Sequence, residues 1–219
     1  MALLIRAQHR PAFSSVIDHM YRLRRRVFVE RLGWRLDTDG VHEIDQFDGG
    51  DCINLVALND AGEVSAAVRF TPSLEPNVTC DVLAAQMGCR FPRAAHIVEI
   101  SRQCVDPALG EDERKAVLLD LRISQEELVR KFGWSHFLGV SYDRHIQPFV
   151  RIGMKVEILG APFQFPGDSE FSFGWMVSQN PGKPNAIRDF LGTDVGRLQD
   201  PAEDPALFIR YGDPLERQA

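Results

Sequence analysis

The sequence predicts an α/β fold, a mixed β-sheet in three layers with helices on both faces. Two observations carry this. Strand-like and helix-like stretches alternate along the chain instead of segregating, and one antiparallel hairpin is plain among them. The 219 residues are 44% hydrophobic and 26% charged, the balance of a soluble globular chain that can bury a sizeable core without crosslinks.

Taken in order, Ala2 to Ile5 is a short apolar strand. Val16, Met20, Leu23 and Val27 recur at spacings of four, three and four, which predicts a helix from about Phe13 to Val29. Gly33 to Asp51 is polar and aperiodic, a long ordered loop of the kind that usually carries function. Ile53 to Leu58 and Val64 to Phe70 flank Asn59-Asp60-Ala61-Gly62 and form the hairpin. Ile97 to Val105 is a strand, and Asp112 to Lys131 a helix closed by Gly133. Phe137 to Tyr142, Val156 to Leu159 and Glu170 to Val177 read as strands, with a short helix at Ile146 to Ile152. One domain over residues 1–192 results. Residues 193–219 are rich in proline and aspartate, apart from Leu207-Phe208-Ile209, and read as a loosely attached tail.

Several chemistries are excluded by missing motifs. No G-x-G-x-x-G follows the first strand, and the phosphate-cradling G-x-x-x-x-G-K-[ST] loop, H-E-x-x-H and G-x-S-x-G are absent. Cys52, Cys80, Cys89 and Cys104 contain no C-x-x-C pair and read as reduced thiols, with no metal site expected. A net charge of −6 and a pI near 5.5 argue against a nucleic-acid partner, despite the basic run Arg22 to Arg26. No run approaches the ~20 apolar residues of a membrane span. The opening Met-Ala-Leu-Leu-Ile-Arg is too short for a signal-peptide core, so a cytoplasmic protein without a membrane partner is expected.

The densest polar constellation lies between Arg24 and Asp48. Arg24 and Phe28 are four apart and share a helix face, a guanidinium beside a ring that could grip a carboxylate-bearing ligand. Glu43, Asp45 and Asp48, near the exposed-looking aromatics Trp34 and Phe47, suit a cation. Strand alternation puts Arg69 with Ala67 and Ser65, opposite Val64, Ala66, Val68 and Phe70. The same rule sets Ile97, Glu99 and Ser101 against Val98, Ile100 and Arg102. A glutamate or arginine inside a covered sheet must find a partner, and together these groups read as one network.

The strings Leu-Arg-x-x-Val-Phe with Glu-Arg-Leu-Gly-Trp (Leu23 to Trp34), Glu-x-Asp-x-x-Asp (Glu43 to Asp48), Val-Arg-Phe-Thr-Pro (Val68 to Pro72) and Val-Glu-Ile-Ser-Arg (Val98 to Arg102) occur in one order over the first half of the chain. In that order and spacing they resemble the LuxI-type acyl-homoserine lactone synthases, which make quorum-sensing autoinducers. The resemblance implies a fold like that of the GNAT N-acyltransferases, as one domain. It implies two substrates and no cofactor: S-adenosylmethionine, and an acyl chain carried on acyl carrier protein or coenzyme A. The amine of S-adenosylmethionine is acylated, its carboxylate closes on the γ-carbon, and methylthioadenosine leaves. The family's functional positions fall on Arg24, Phe28, Trp34, Asp45, Asp48, Arg69, Glu99 and Arg102, each of the expected residue type.

On this reading Arg24 or Arg102 grips the cosubstrate carboxylate, and Asp45 and Asp48 with the rings of Phe28 and Trp34 suit its cationic end. Glu43 or Glu99 is the base that takes the proton of the amine. Val140, Ser141, Phe149, Met154 and Phe173 are candidates to line the acyl chain. Gly139, Val140 and Ser141 stand where members making 3-oxo products present a threonine, which weakens a 3-oxo preference. Arg122, Arg130, Lys131, Arg151 and Lys155 could form a basic patch for an acidic carrier protein. Two other readings compete. A different GNAT-like N-acyltransferase using acyl-CoA would need a [QR]-x-x-G-x-[GA] loop, which is not found after a central strand. A non-catalytic regulator binding ligand or DNA through Arg22 to Arg26 is disfavoured by the acidic balance.

Overall fold

The computed structural model describes residues 1–59, 61–178, 186–193 and 196–213. The strands are β1 (Ala2–Ile5), β2 (Ile53–Leu58), β3 (Val64–Pro72), β4 (Ile97–Val105), β5 (His136–Tyr142), β6 (Lys155–Phe163), β7 (Ser172–Ser178) and β8 (Leu198–Gln199). The helices are α1 (Ser14–Arg24), α2 (Ala84–Gln86), α3 (Glu111–Phe132), α4 (Asp143–Arg151), α5 (Ala186–Leu191) and α6 (Ala206–Tyr211). π-Helical stretches at Arg25–Arg31 and Thr79–Leu83 adjoin α1 and α2. Pairing is mixed, as expected. β1 runs antiparallel to β2 and parallel to β8, while β5 runs parallel to β4 and antiparallel to β7. No helix among the described residues is long and apolar enough to cross a membrane.

The chain gathers into two compact units, each built from separate stretches of sequence. The first comprises residues 1–69, 102–124 and those from 197 onward, with strands in the order β8-β1-β2-β3-β4. Its core joins the predicted helix face, Val16, Met20, Leu23 and Val27, to Leu3 and Ile5 of β1 and Val56 of β2. Each such side chain fully buried contributes about 1.5–3 kcal/mol, so this face fixes the helix on the sheet. The helix does not run uniformly to Val29. It widens to π geometry at Arg25 and ends through Leu32 N–H on Val27 O and Trp34 N–H on Phe28 O. Wide turns of this kind recur at functional sites.

The described part of the supposed tail is tied to this unit. β8 pairs Ala2 with Leu198 and Leu3 with Gln199, and the Arg6 guanidinium holds buried Asp200 at 3.2 and 3.3 Å. Leu207 is buried in the core, and the Phe208 ring lies 5.1 Å from that of Phe13. The apolar trio that interrupts the prolines anchors the segment, so the expectation of loose attachment is corrected for residues 196–213.

The second unit comprises residues 70–101 and 125–196, with β3 and β4 followed by β5, β7 and β6. Ala84, Met87, Phe91, Ile97 and Leu138 form its apolar cluster, with Val140 and Leu159 packed against it. α4 starts three residues before the predicted helix, and β6 extends beyond the predicted Val156 to Leu159 at both ends. α2, α5 and α6 are too short, at three, six and six residues, to show a period. Gly139 is a packing requirement, because a Cβ there would stand 2.8 Å from Ile100 O and 2.9 Å from Trp175 Cζ2.

Candidate active site

Six side chains of the first unit form a closed ring of alternating charge. Arg24 Nε donates to Glu43 Oε2 at 2.6 Å, while its Nη1 and Nη2 donate to Asp48 at 2.6 and 3.0 Å. Arg69 donates to Asp48 Oδ1 at 3.0 Å and to both Asp45 oxygens at 2.5 and 3.0 Å. Arg102 closes the circuit, donating to Glu43 Oε1 from Nη2 at 3.0 Å and reaching Asp45 Oδ2 at 2.8 Å. Each carboxylate thus lies between two guanidinium groups. Three positive and three negative groups cancel, which is what lets so many charges be taken from water together.

The elements explain the convergence. Arg24 is the last residue of α1, on the face buried with Leu23. The loop that carries the acids is held against that helix, where Glu43 N–H donates to Tyr21 O at 3.2 Å. Within the loop Asp48 Oδ2 accepts the Asp45 N–H at 2.8 Å and Asp45 Oδ1 the Phe47 N–H at 2.9 Å, so the acids also fix their own backbone. Arg102 lies in β4 with φ 52°, the one non-glycine residue in the left-handed region among those described. Such a conformation costs of order 1–3 kcal/mol and breaks the period-two alternation on which the expected direction of this side chain rested.

The ring is closed on one side and open on the other. The Arg24 and Glu43 side chains are 1% exposed, while those of Arg102 and Asp45 are 10% and 17% exposed. Burial opposes the charge on Asp45, yet the Arg69 hydrogen bonds and charge, then Arg102 and Arg24, hold its carboxyl down at about 2. Arg24 is likewise disfavoured by burial but kept charged by Asp48 and Glu43. Aromatic faces back the arginines. Arg102 lies 5.7 Å from the centroid of Phe28, which stacks on Trp34 at 5.0 Å and 22°. Arg69 lies 6.0 Å from that of Phe47. Phe47, expected at the surface, is buried because its ring packs under this guanidinium.

Glu99 belongs to the second unit and is fully buried. Its Oε1 accepts the Thr79 hydroxyl at 3.0 Å and its Oε2 the Ser101 hydroxyl at 2.9 Å. This separates the two candidate bases chemically. The Glu43 oxygens face guanidinium donors, which can never accept a proton, whereas the hydroxyls around Glu99 can turn and accept once the carboxyl is protonated. The supposed acyl wall divides as well. Val140 packs with the Met87 and Leu138 cluster, while Ser141 accepts the Trp175 indole N–H at 2.9 Å and Phe149 lies 5.8 Å from the Trp175 ring. Neighbours on one strand point to opposite faces, so Val140 and Ser141 do not share a wall. Phe149 and Met154 are buried, and Phe173 is half-buried.

Sequence reasoning missed Tyr21, Thr79 and Trp175, of which the last two stand in no charged or motif-like context. It also missed a clamp beside the ring, in which the His42 imidazole bridges Asp39 and Asp18 at 2.8 Å each. The basic run is neutralised locally. Arg22 pairs with Asp18, Arg25 with Glu30 and Arg26 with Asp106. The possible carrier-protein patch is thinned too. Arg122 is half-buried, with burial pushing its pKa down to about 10, and Lys155 pairs with Glu157.

Comparison with known proteins agrees with this geometry. The autoinducer synthase family profile matches residues 9–166. An acyl-homoserine-lactone synthase of Ralstonia solanacearum is 27% identical over 143 residues, covering 63% of this chain and 70% of that protein. The isovaleryl-homoserine lactone synthase of Bradyrhizobium diazoefficiens is 29% identical over 163 residues, covering 72% and 71%. Among solved structures, the CoA-dependent acyl-homoserine lactone synthase BjaI, with SAM and isopentyl-CoA, matches with a TM-score of 0.77 at 26% identity over 91% of this chain and 92% of that one. A putative N-acetyltransferase from Lactobacillus plantarum shares the fold at a TM-score of 0.51 and 18% identity. With its ring of paired arginines and acids and a matching profile over most of its length, the chain belongs to the autoinducer synthase family.

Proposed function

We propose that this acyl-homoserine-lactone synthase takes its acyl group from a coenzyme A thioester, and that Glu99 is the base which starts the reaction. The observation that carries the reading is the half-open neutral ring. Arg102 and Asp45 present a positive and a negative group side by side at its less buried edge, beside the Phe28 and Trp34 rings. A cosubstrate that carries both a carboxylate and an ammonium needs that pairing. Arg102 takes the carboxylate, and Asp45 with the aromatic faces takes the cationic end. Arg24 and Asp48 hold the ring in shape from its buried side.

Glu99 accepts a proton from the amine of S-adenosylmethionine, and the freed lone pair attacks the thioester carbonyl. The tetrahedral intermediate collapses as the carbon–sulfur bond breaks, the nitrogen gives its second proton to the departing thiolate to leave a neutral amide, and Glu99 returns the first proton to solvent. The carboxylate then displaces the sulfonium at the γ-carbon, closing the lactone and releasing methylthioadenosine. Coenzyme A is favoured as carrier by the likeness to the CoA-dependent BjaI and by the thinning of the basic patch a carrier protein would need.

The purified chain is to be incubated with S-adenosylmethionine and either a series of acyl-CoAs or the same acyl groups on carrier protein. Mass spectrometry then reads acyl-homoserine lactone and methylthioadenosine. Lactone from acyl-CoA is the expected result. Lactone only from the carrier-protein series overturns the choice of donor, and none from either overturns the reaction.

A further inference from the structure

We infer that Thr79 is a positioning residue for this reaction and acts by fixing the Glu99 carboxylate, an assignment that rests on the function proposed above. Thr79 opens the π-helical stretch Thr79–Leu83, one residue past the N-cap position at Val78, where no side-chain cap is made. Capping is supplied by neighbours. Asn77 Oδ1 accepts the Cys80 N–H at 2.9 Å, and Asp81 Oδ2 accepts the Asn77 N–H at 2.7 Å. The Thr79 hydroxyl is thereby left to turn inward, where it donates to Glu99 Oε1 at 3.0 Å. The backbone N–H of the same residue points at the same oxygen at 3.4 Å.

Thr79 and Glu99 are 1% and 0% exposed, so neither contact competes with bulk water. Ser101 holds the other oxygen at 2.9 Å, and the two hydroxyls between them set the plane of the carboxylate. A base must present a lone pair along one line to the proton it removes, and a carboxylate free to rotate presents it only part of the time. The Thr79 hydroxyl serves twice. It orients the ionised form as a donor, and by turning it accepts from the protonated form.

Thr79→Val keeps the branched shape and removes the hydroxyl, and Thr79→Ser restores it. Steady-state kinetics on the full chain should show kcat for Thr79→Val lower by about tenfold, the order expected for one hydrogen bond to a charged group. KM for S-adenosylmethionine and for the acyl thioester should stay within about twofold of wild type, and Thr79→Ser should recover most of kcat. Wild-type kcat in Thr79→Val, or an equal loss in both variants, overturns the inference. So does a change confined to KM. Should Thr79→Val fail to fold, Thr79→Ala gives the same comparison. A wild-type chain that makes no lactone at all overturns the parent reading and this inference with it.

Discussion

Arg102 and Glu43 are 59 residues apart in sequence and meet through three hydrogen bonds of 3.0, 3.1 and 3.2 Å. The contact is made from a left-handed arginine backbone, φ 52°, a conformation that persists only where its surroundings over-determine it. What over-determines it is the rest of the ring, since the same guanidinium also reaches Asp45. A strained backbone at the less buried corner of a charge network is where a ligand-facing group is expected.

The two ends of the ring should respond differently to truncation. Arg24→Ala leaves Glu43 and Asp48 each short of a buried partner and should lower the unfolding free energy by roughly 3–5 kcal/mol, read by urea denaturation. Arg102→Ala removes a more exposed group. It should cost less stability while abolishing lactone formation. Equal destabilisation by the two variants would contradict the division into a closed and an open side.

Acid should dismantle the ring through Asp45. Its carboxyl is held at about 2, below its ordinary 3.8, so its stabilisation is fully present above the unfolded value and is lost as pH falls through that range towards 2. Thermal midpoints of wild type and Asp45→Asn should therefore differ most near neutrality and converge as pH falls to about 2. A constant difference across that range would refute the assignment.

His42 gives the opposite sign. Hydrogen bonds that its ring nitrogens donate to Asp39 and Asp18 raise its pKa above the ordinary 6.5. The stabilisation is complete below 6.5 and lost as pH rises through the raised folded value. The clamp sits next to Glu43, so the loop that carries the acids should loosen in alkali. Protection factors for amide exchange over residues 37–48, corrected for intrinsic rates, should fall as pH rises through the raised value in wild type and be low at all pH in His42→Asn.

Gly139→Ala tests the packing of the second unit. The added methyl would meet the Ile100 carbonyl at 2.8 Å, a backbone atom that cannot turn aside, and the Trp175 ring at 2.9 Å. A loss of about 1–3 kcal/mol in chemical denaturation is expected. Unchanged stability would mean that the indole is free to move.

Much of this was legible beforehand, for identifiable reasons. The face Val16, Met20, Leu23 and Val27 is long enough to show its period and is the core face of α1. Arg69 and Arg102 were readable because charges in apolar strands must pair, and Arg24 and the three acids because they crowd one short polar stretch. Their pairing order was not, since it depends on a loop without period and on one left-handed residue in β4. The contact of Ser141 with Trp175 was not legible, since it depends on the β5–β7 register, which sets Trp175 opposite Gly139. The anchoring of residues 196–213 was hidden because a two-residue strand leaves no pattern.

Because every acid in the cycle serves two bases and every base two acids, no member can be exchanged alone without leaving an odd charge underground. Single-step drift at these positions is blocked at its first step. Redesign of this cavity for another zwitterion would have to swap a cation and an anion in the same move, across a gap of many residues.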